Sequence, residues 1–167
     1  MDAMANPGVA RFRKQLDAET WANRLSLDSI RTVPASAAGT EEYRRMLQLL
    51  PHNQLARSVW LSRLKGEVSA PPTDWFPVWT LEATAAACEQ NDLNWSAYLE
   101  SLKDSSLSKP IIYRSSEGQG YQSLVEDVIM HVFNHSTYHR GQLARLVTQC
   151  GGKRASTDLI GYTRLKL

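Results

Sequence analysis

The stretch that decides the fold reads His131-Val-Phe-Asn-His135-Ser-Thr-Tyr-His139-Arg-Gly-Gln142, and it carries three of the four histidines of this 167-residue chain. On a helix each residue turns by ~100°, so with His131 at zero, His135 falls near ~40° and His139 near ~80°. The apolar residues of the segment fall within about 20° to 120°. The pattern therefore predicts a helix that turns His135 and His139 into the core, with His131 at the edge of its buried face. The apolar residues are Leu124, Val128, Val132, Leu143 and Leu146.

Two histidines one turn apart can chelate a single metal ion, because their side chains lie on neighbouring turns of one helix face. His131 and His139 are ~12 Å apart along the axis, so all three cannot easily share it. A third ligand is expected from another helix, and His52 is the only histidine elsewhere in the chain. His52, His135 and His139 would leave an open coordination position, as in catalytic sites. The alternative interpretation is that these are structural core histidines with hydrogen-bonded neighbours.

Apolar periodicity predicts an all-α fold, a four-helix bundle, for the rest of the chain. Thr40 and Thr80 are typical helix caps, and Ser123 with Glu126 forms the pattern of a capping box. Pro51 lies inside the second helix, where the apolar stripe also changes face, so a kink or restart is expected there. Asn91-Asp92 could weaken the third helix. The four predicted helices cover residues 9–30, 41–64, 81–103 and from Ser123 to 149.

The segments between these helices differ in character. Residues 66–79 contain three prolines and form a long crossover loop, which lets the bundle depart from simple up-down order. Residues 111–113 are a candidate short strand, and Gly118 and Gly120 are turn residues that would complete a hairpin before the last helix. Residues 1–8 are expected to be loose, and 153–167 to form a C-terminal tail.

Composition sets the class of protein. The length argues for a single domain over residues 1–167. Lysine and arginine number 19 against 17 acidic residues, intermixed, which gives neither a nucleic-acid footprint nor a polybasic membrane anchor. The sequence contains no apolar run of ~18 residues, so it predicts no membrane span. Only two cysteines occur, Cys88 and Cys150, which suits a reducing cytoplasm.

The stretch from His131 to Gln142 closely resembles the DinB-like (damage-inducible protein) family. Three other segments are similar to its signatures: Trp21-Ala22-Asn23, the run Trp60-Leu61-Ser62-Arg63-Leu64-Lys65-Gly66, and Thr157-Asp158-Leu159-Ile160. The resemblance covers almost the whole chain. It implies a four-helix bundle, often dimeric, with a three-histidine metal site. Its second-helix histidine matches His52, and its paired histidines match His135 and His139.

The resemblance also implies a class of chemistry. Related bundles are metal-dependent S-transferases that use bacillithiol, mycothiol or glutathione, and one is a mycothiol-dependent isomerase. The function expected here is therefore activation of a low-molecular-weight thiol for attack on an electrophilic small molecule, by a homodimer in the cytoplasm. The alternative is a non-enzymatic metal-binding stress-response protein. Nitrogen ligands alone do not choose the metal; zinc and nickel are preferred, with iron, copper and manganese as alternatives.

Other residues near the histidines are secondary candidates. Gln142 falls near ~20° on the wheel, so it could orient His135 or His139. His131 and Tyr138 lie at the stripe edge and could contact a substrate. The pattern is not that of a metalloprotease, because the glutamate that follows the first histidine of the His-Glu-x-x-His motif is absent. No catalytic residue is identified. Cys88 and Cys150 are interpreted as buried thiols.

Overall fold

Four long helices and one antiparallel hairpin dominate the computed structural model, which describes residues 8–67 and 70–165. The predicted all-α fold with a hairpin before its last helix is confirmed. The hairpin pairs Ile112 with Gln122 at its centre. The elements are α1 (Gly8–Arg31), α2 (Glu41–Lys65), α3 (Leu81–Ser101), β1 (Pro110–Arg114), β2 (Gly120–Leu124), α4 (Val125–Gln149) and a short α5 (Leu159–Thr163).

Helices α1 and α4 run in one direction and α2 and α3 in the opposite one, as their shared apolar clusters show. One cluster joins the first halves of α1 and α4 to the second halves of α2 and α3. The other joins the second halves of α1 and α4 to the first halves of α2 and α3. Thus α2 and α3 are parallel, and the segment between them must return along the bundle. This agrees with the predicted crossover and with the departure from up-down order.

The starts of two helices follow the sequence prediction. The Thr40 hydroxyl accepts a hydrogen bond from the Tyr43 amide at 3.2 Å, and the Thr80 hydroxyl accepts one from the Ala83 amide at 3.1 Å. Each satisfies an amide that has no partner within the helix. Both predicted caps are confirmed.

The capping box predicted for α4 is wrong. Ser123 belongs to β2, and its hydroxyl lies 3.2 Å from the hydroxyl of Tyr113. The first amides of α4 are satisfied instead by the chain before the hairpin: Val125 donates to the Lys109 carbonyl at 3.0 Å. Hairpin pairing therefore uses the residue that the local pattern assigned to the cap.

Pro51 does not divide α2, which continues through it as one helix. The predicted restart is wrong, because the change of apolar stripe has another cause. α2 packs on both α3 and α4, so a wide face of the helix is buried and both stripes reach the interior.

A polar layer crosses the middle of the bundle between the two apolar clusters. Arg140 of α4 forms a 2.7 Å ion pair with Glu19 of α1, and both are at most 5% exposed. Asn91 of α3 donates to the Gln54 carbonyl of α2 at 3.1 Å. The pair Asn91-Asp92, expected to weaken α3, thus bonds α3 to α2 instead; Asp92 accepts from Arg57 at 2.6 Å.

The two ends of the chain depart partly from expectation. Of the residues predicted to be loose, 1–7 lie outside the described residues, and Gly8 already begins α1. The predicted tail contains a helix, α5, which packs on α1 through Tyr162 and Trp21, whose ring centroids are 5.7 Å apart. Its five residues were too few to give a periodic signal.

Gly141 offers a direct test of helix stability. It is exposed in the interior of α4, and an added Cβ would meet no atom within 4 Å among the described residues. Gly141→Ala should therefore raise the free energy of unfolding by about 1 kcal/mol, measured by urea denaturation, because alanine loses less backbone entropy. Gly152→Ala is the control and should destabilise, since its Cβ would lie 2.7 Å from Val33. Destabilisation by Gly141→Ala would show that another surface covers this face.

Candidate metal centre

The middle turns of α2 and α4 bring three imidazoles together. His52 lies half-way along α2, and His135 and His139 lie one turn apart in the middle of α4. One ring nitrogen from each lies within 4.8 Å of those of the other two. His52 and His139 are each 8% exposed, and His135 is partly buried. The structure therefore brings together the three residues that the sequence singled out.

His52 is oriented by the crossover segment between α2 and α3. Its Nδ1 donates to the carbonyl oxygen of Trp75, 2.8 Å away, which leaves Nε2 with a free lone pair. That Nε2 lies 3.0 Å from Nε2 of His135. The Phe76 ring stacks on the His52 ring, with 4.1 Å between the ring centroids and 7° between the planes. A carbonyl that fixes the tautomer in this way is typical of metal-binding histidines.

His139 is oriented by its own helix. Its Nδ1 lies 2.9 Å from Oε1 of Gln142, one turn further along α4. Because an amide oxygen can only accept, Nδ1 donates and Nε2 keeps a lone pair. The geometry places Gln142 where the sequence predicted a partner for one of the paired histidines.

His131 and Tyr138 stay outside the cluster. His131 is exposed, and its ring packs edge-on against Trp60, with 5.2 Å between centroids. Tyr138 is 64% exposed, and its ring centroid is 5.1 Å from that of His139. A substrate contact by either residue stays a prediction.

Electrostatics keep the cluster neutral near pH 7. Burial is the main cause that lowers the pKa of His52 and of His139 below 6.5. For His135, burial together with repulsion from the neighbouring imidazoles lowers the pKa to about 4. Neutral imidazole is the form that binds metals, so no proton need be removed from the ring nitrogens at neutral pH.

The donor set fits one divalent transition metal. Tetrahedral nitrogen ligands at ~2.05 Å lie ~3.3 Å apart, which small side-chain shifts can reach from the observed arrangement. Among the described residues no cysteine, carboxylate or fourth histidine joins the cluster. The three histidines could thus hold an ion while one coordination position stays open.

A cleft of about 360 Å³ opens beside the histidines. His52 and His135 form part of its wall, together with aromatic side chains of α2, the crossover segment and the hairpin. These aromatic residues were not predicted as parts of the site, since nothing in the local sequence shows where a loop or hairpin docks. They are Trp60, Trp75, Tyr113 and Tyr121.

The lowered pKa values predict a pH dependence. Since the folded histidines bind protons more weakly than those of the unfolded chain, they should cost no stability above pH 7, and the stability of the metal-free protein should fall as the pH drops from 6.5 to 4. His135→Gln should remove about 2 kcal/mol of that loss, allowing for solvent screening at a partly buried ring. Urea denaturation at a series of pH values measures both curves. Identical slopes for the variant and the unmodified protein would contradict the prediction.

The fold and the cluster define a class: a helical bundle with a histidine-lined centre between two of its long helices. The chain belongs to the DinB family, whose family model matches residues 10–166. It is also similar to Protein DinB of Bacillus subtilis (strain 168), with 21% identity over 164 residues, covering 87% of this chain and 89% of that protein. No solved structure gives a significant match.

Within residues 8–67 and 70–165, no helix combines the length and the apolar character that crossing a membrane requires.

Proposed function

We propose that this protein binds one divalent transition metal through His52, His135 and His139 and acts as a metal-dependent thiol S-transferase. The observation that carries the proposal is a cluster of three neutral imidazoles, two of which, His52 and His135, line a cleft, with no fourth protein ligand among the described residues. A closed structural site would instead have four protein ligands. Zinc or nickel suits the nitrogen donors, with iron, copper and manganese as alternatives.

The chemistry follows from the open position. A divalent ion held by the three histidines would lower the pKa of a small thiol bound at its open position, so that a thiolate nucleophile is available at neutral pH. His52 and His139 each keep the lone pair of Nε2 available, because the Nδ1–H groups donate hydrogen bonds to the Trp75 carbonyl and to Oε1 of Gln142. The thiol sulfur then bonds to the electrophilic carbon, the leaving group departs, and the thiol proton passes to solvent.

The nucleophile should come from outside the protein. Cys88 and Cys150 are both buried, 5% and 8% exposed. Burial raises the pKa of the Cys88 thiol to about 12, which keeps it protonated and unreactive. A free thiol that enters the cleft is therefore the better candidate.

A thiol-consumption assay tests the proposal. The protein, loaded with zinc or with nickel, is mixed with a low-molecular-weight thiol and 1-chloro-2,4-dinitrobenzene, and free thiol is followed. We expect metal-dependent loss above the uncatalysed rate, absent with a chelator and in His52→Ala. If no thiol is consumed although one ion binds per chain, the non-enzymatic metal-binding alternative takes its place.

Two further parts of the proposal concern the assembly and its surroundings. We expect a homodimer in the cytoplasm, which light scattering after size-exclusion chromatography and cell fractionation test directly.

A further inference from the structure

We propose that Arg63 binds a carboxylate of the molecule that enters the cleft, so that the thiol cosubstrate is an elongated organic acid. This inference rests on the proposed function for the role of that molecule as a thiol. The anion-binding role of Arg63 itself rests on the position, contacts and charge described below.

Arg63 shares one face of α2 with His52. Arg63 lies eleven positions after His52, so the two side chains differ by a rotation of about 20° around the helix and by a rise of ~16 Å along its axis. Helical side chains tilt toward the N-terminus, so Arg63 extends back toward His52. Both residues line the same cleft, with Ala56 and Trp60 between them.

Two aromatic rings hold the guanidinium in place. Its central carbon lies 4.5 Å from the ring centroid of Trp60 and 5.1 Å from that of Tyr113. One Nη2 hydrogen donates to the Arg114 carbonyl of the hairpin at 2.9 Å. This is a fixed cation rather than a mobile surface side chain, since arginine planes stack well on aromatic faces.

The charge of Arg63 is not neutralised by any carboxylate within 4.0 Å in the part of the chain that the structure describes. Its Nε and Nη1 donors have no protein acceptor there. Burial lowers the pKa of its guanidinium below the usual value, yet the group stays charged at neutral pH. The second Nη2 hydrogen can pair with that of Nε or of Nη1 to form a fork, which suits a carboxylate because it can bind one through two parallel hydrogen bonds.

The cleft as a whole favours an anion. Among the described residues that line it, Arg63 is the only lysine, arginine, aspartate or glutamate, and the remainder are aromatic, histidine, alanine and serine side chains. The guanidinium of Arg63 lies over Trp60, one turn nearer to His52, so a ligand that reaches from the histidines to this guanidinium must span roughly two turns of helix, ~10 Å. It therefore carries its carboxylate well away from the sulfur.

Glutathione, its diethyl ester and S-methylglutathione are suitable probes. Quenching of tryptophan fluorescence reports binding, because Trp60 and Trp75 line the cleft. In the cobalt-loaded protein, the sulfur-to-cobalt absorption band reports separately whether a thiol reaches the metal. We expect glutathione and S-methylglutathione to bind at least tenfold more tightly than the ester. Arg63→Gln should abolish this preference, and Arg63→Lys should restore part of it.

Arg114→Gln is the matched control, because Arg114 is a neighbouring exposed arginine that does not line this cleft. It should keep the full preference, and all variants should keep one bound metal per chain. An equal preference in Arg63→Gln and the unmodified protein, or none in either, would overturn the inference. The cobalt band decides the proposed function independently: its absence, with the carboxylate preference intact, would reject the thiol chemistry and leave the anion site standing.

Discussion

His135→Ala is expected to weaken zinc binding more than a hundredfold and to reduce the metal content of the purified protein to a small fraction of one ion per chain. Only two imidazoles would remain, and loss of even an indirect partner of a metal ligand costs ten- to hundredfold in affinity. His135 is the best of the three to remove, because it is the least buried and its loss disturbs packing least. Calorimetric titration with zinc and elemental analysis measure the effect.

His131→Ala is the matched control for that experiment. It lies one turn earlier on α4, is exposed, and does not belong to the three-histidine cluster. The zinc affinity of His131→Ala should equal that of the unmodified protein. Zinc should also raise the melting temperatures of these two proteins equally, since stabilisation by a ligand depends on its concentration relative to Kd. Equal losses in His131→Ala and His135→Ala would show that the ligand set is not the one proposed.

The histidine cluster could be found from the sequence because its signal is local. His135 and His139 fall on the apolar stripe of one helix, and helical periodicity alone turns both inward. His52 follows as the only other histidine on a core-facing stripe. The three rings meet only because α2 packs against α4. No local sequence pattern specifies that packing.

The surroundings of the cluster could not be found in this way. Trp75 and Phe76 lie in the proline-containing crossover, and they meet His52 only because that segment folds back over the middle of α2. Arg63 and Tyr113 meet because the hairpin docks beside α2. Such contacts join residues distant in sequence, and neither residue type nor spacing specifies them.

The buried face of α4 is wider than its apolar stripe predicts. At ~100° per residue Arg140 falls near ~180° on the wheel, outside the apolar stripe of α4 at about 20° to 120°, yet it is 5% exposed. α4 packs against α1 as well as α2, so its interior face is wider than the stripe. A polar residue beyond the stripe edge can then be buried when a partner on the next helix, here Glu19, satisfies its charge.

Arg140→Met is therefore expected to lower the free energy of unfolding by about 3–5 kcal/mol, because it leaves the Glu19 carboxylate buried without its cation. At this chain length that corresponds to a fall of about 10 °C in melting temperature. Urea denaturation of the metal-free protein measures the change without a contribution from bound ions. The exposed pair Arg31–Asp28 is the control, and Arg31→Met should cost less than ~1 kcal/mol.

The double variant Glu19→Leu with Arg140→Met separates the cost of an unpaired charge from the value of the pair. Apolar residues of similar volume often replace a buried ion pair with little loss, since neither charge need then leave water. We expect the double variant to recover most of the stability lost in Arg140→Met; the remaining deficit would come from Asn23, whose side-chain oxygen accepts from Arg140 at 3.4 Å. If both proteins are equally unstable, the pair itself stabilises the bundle, and the polar layer contributes more than the avoidance of a buried lone charge.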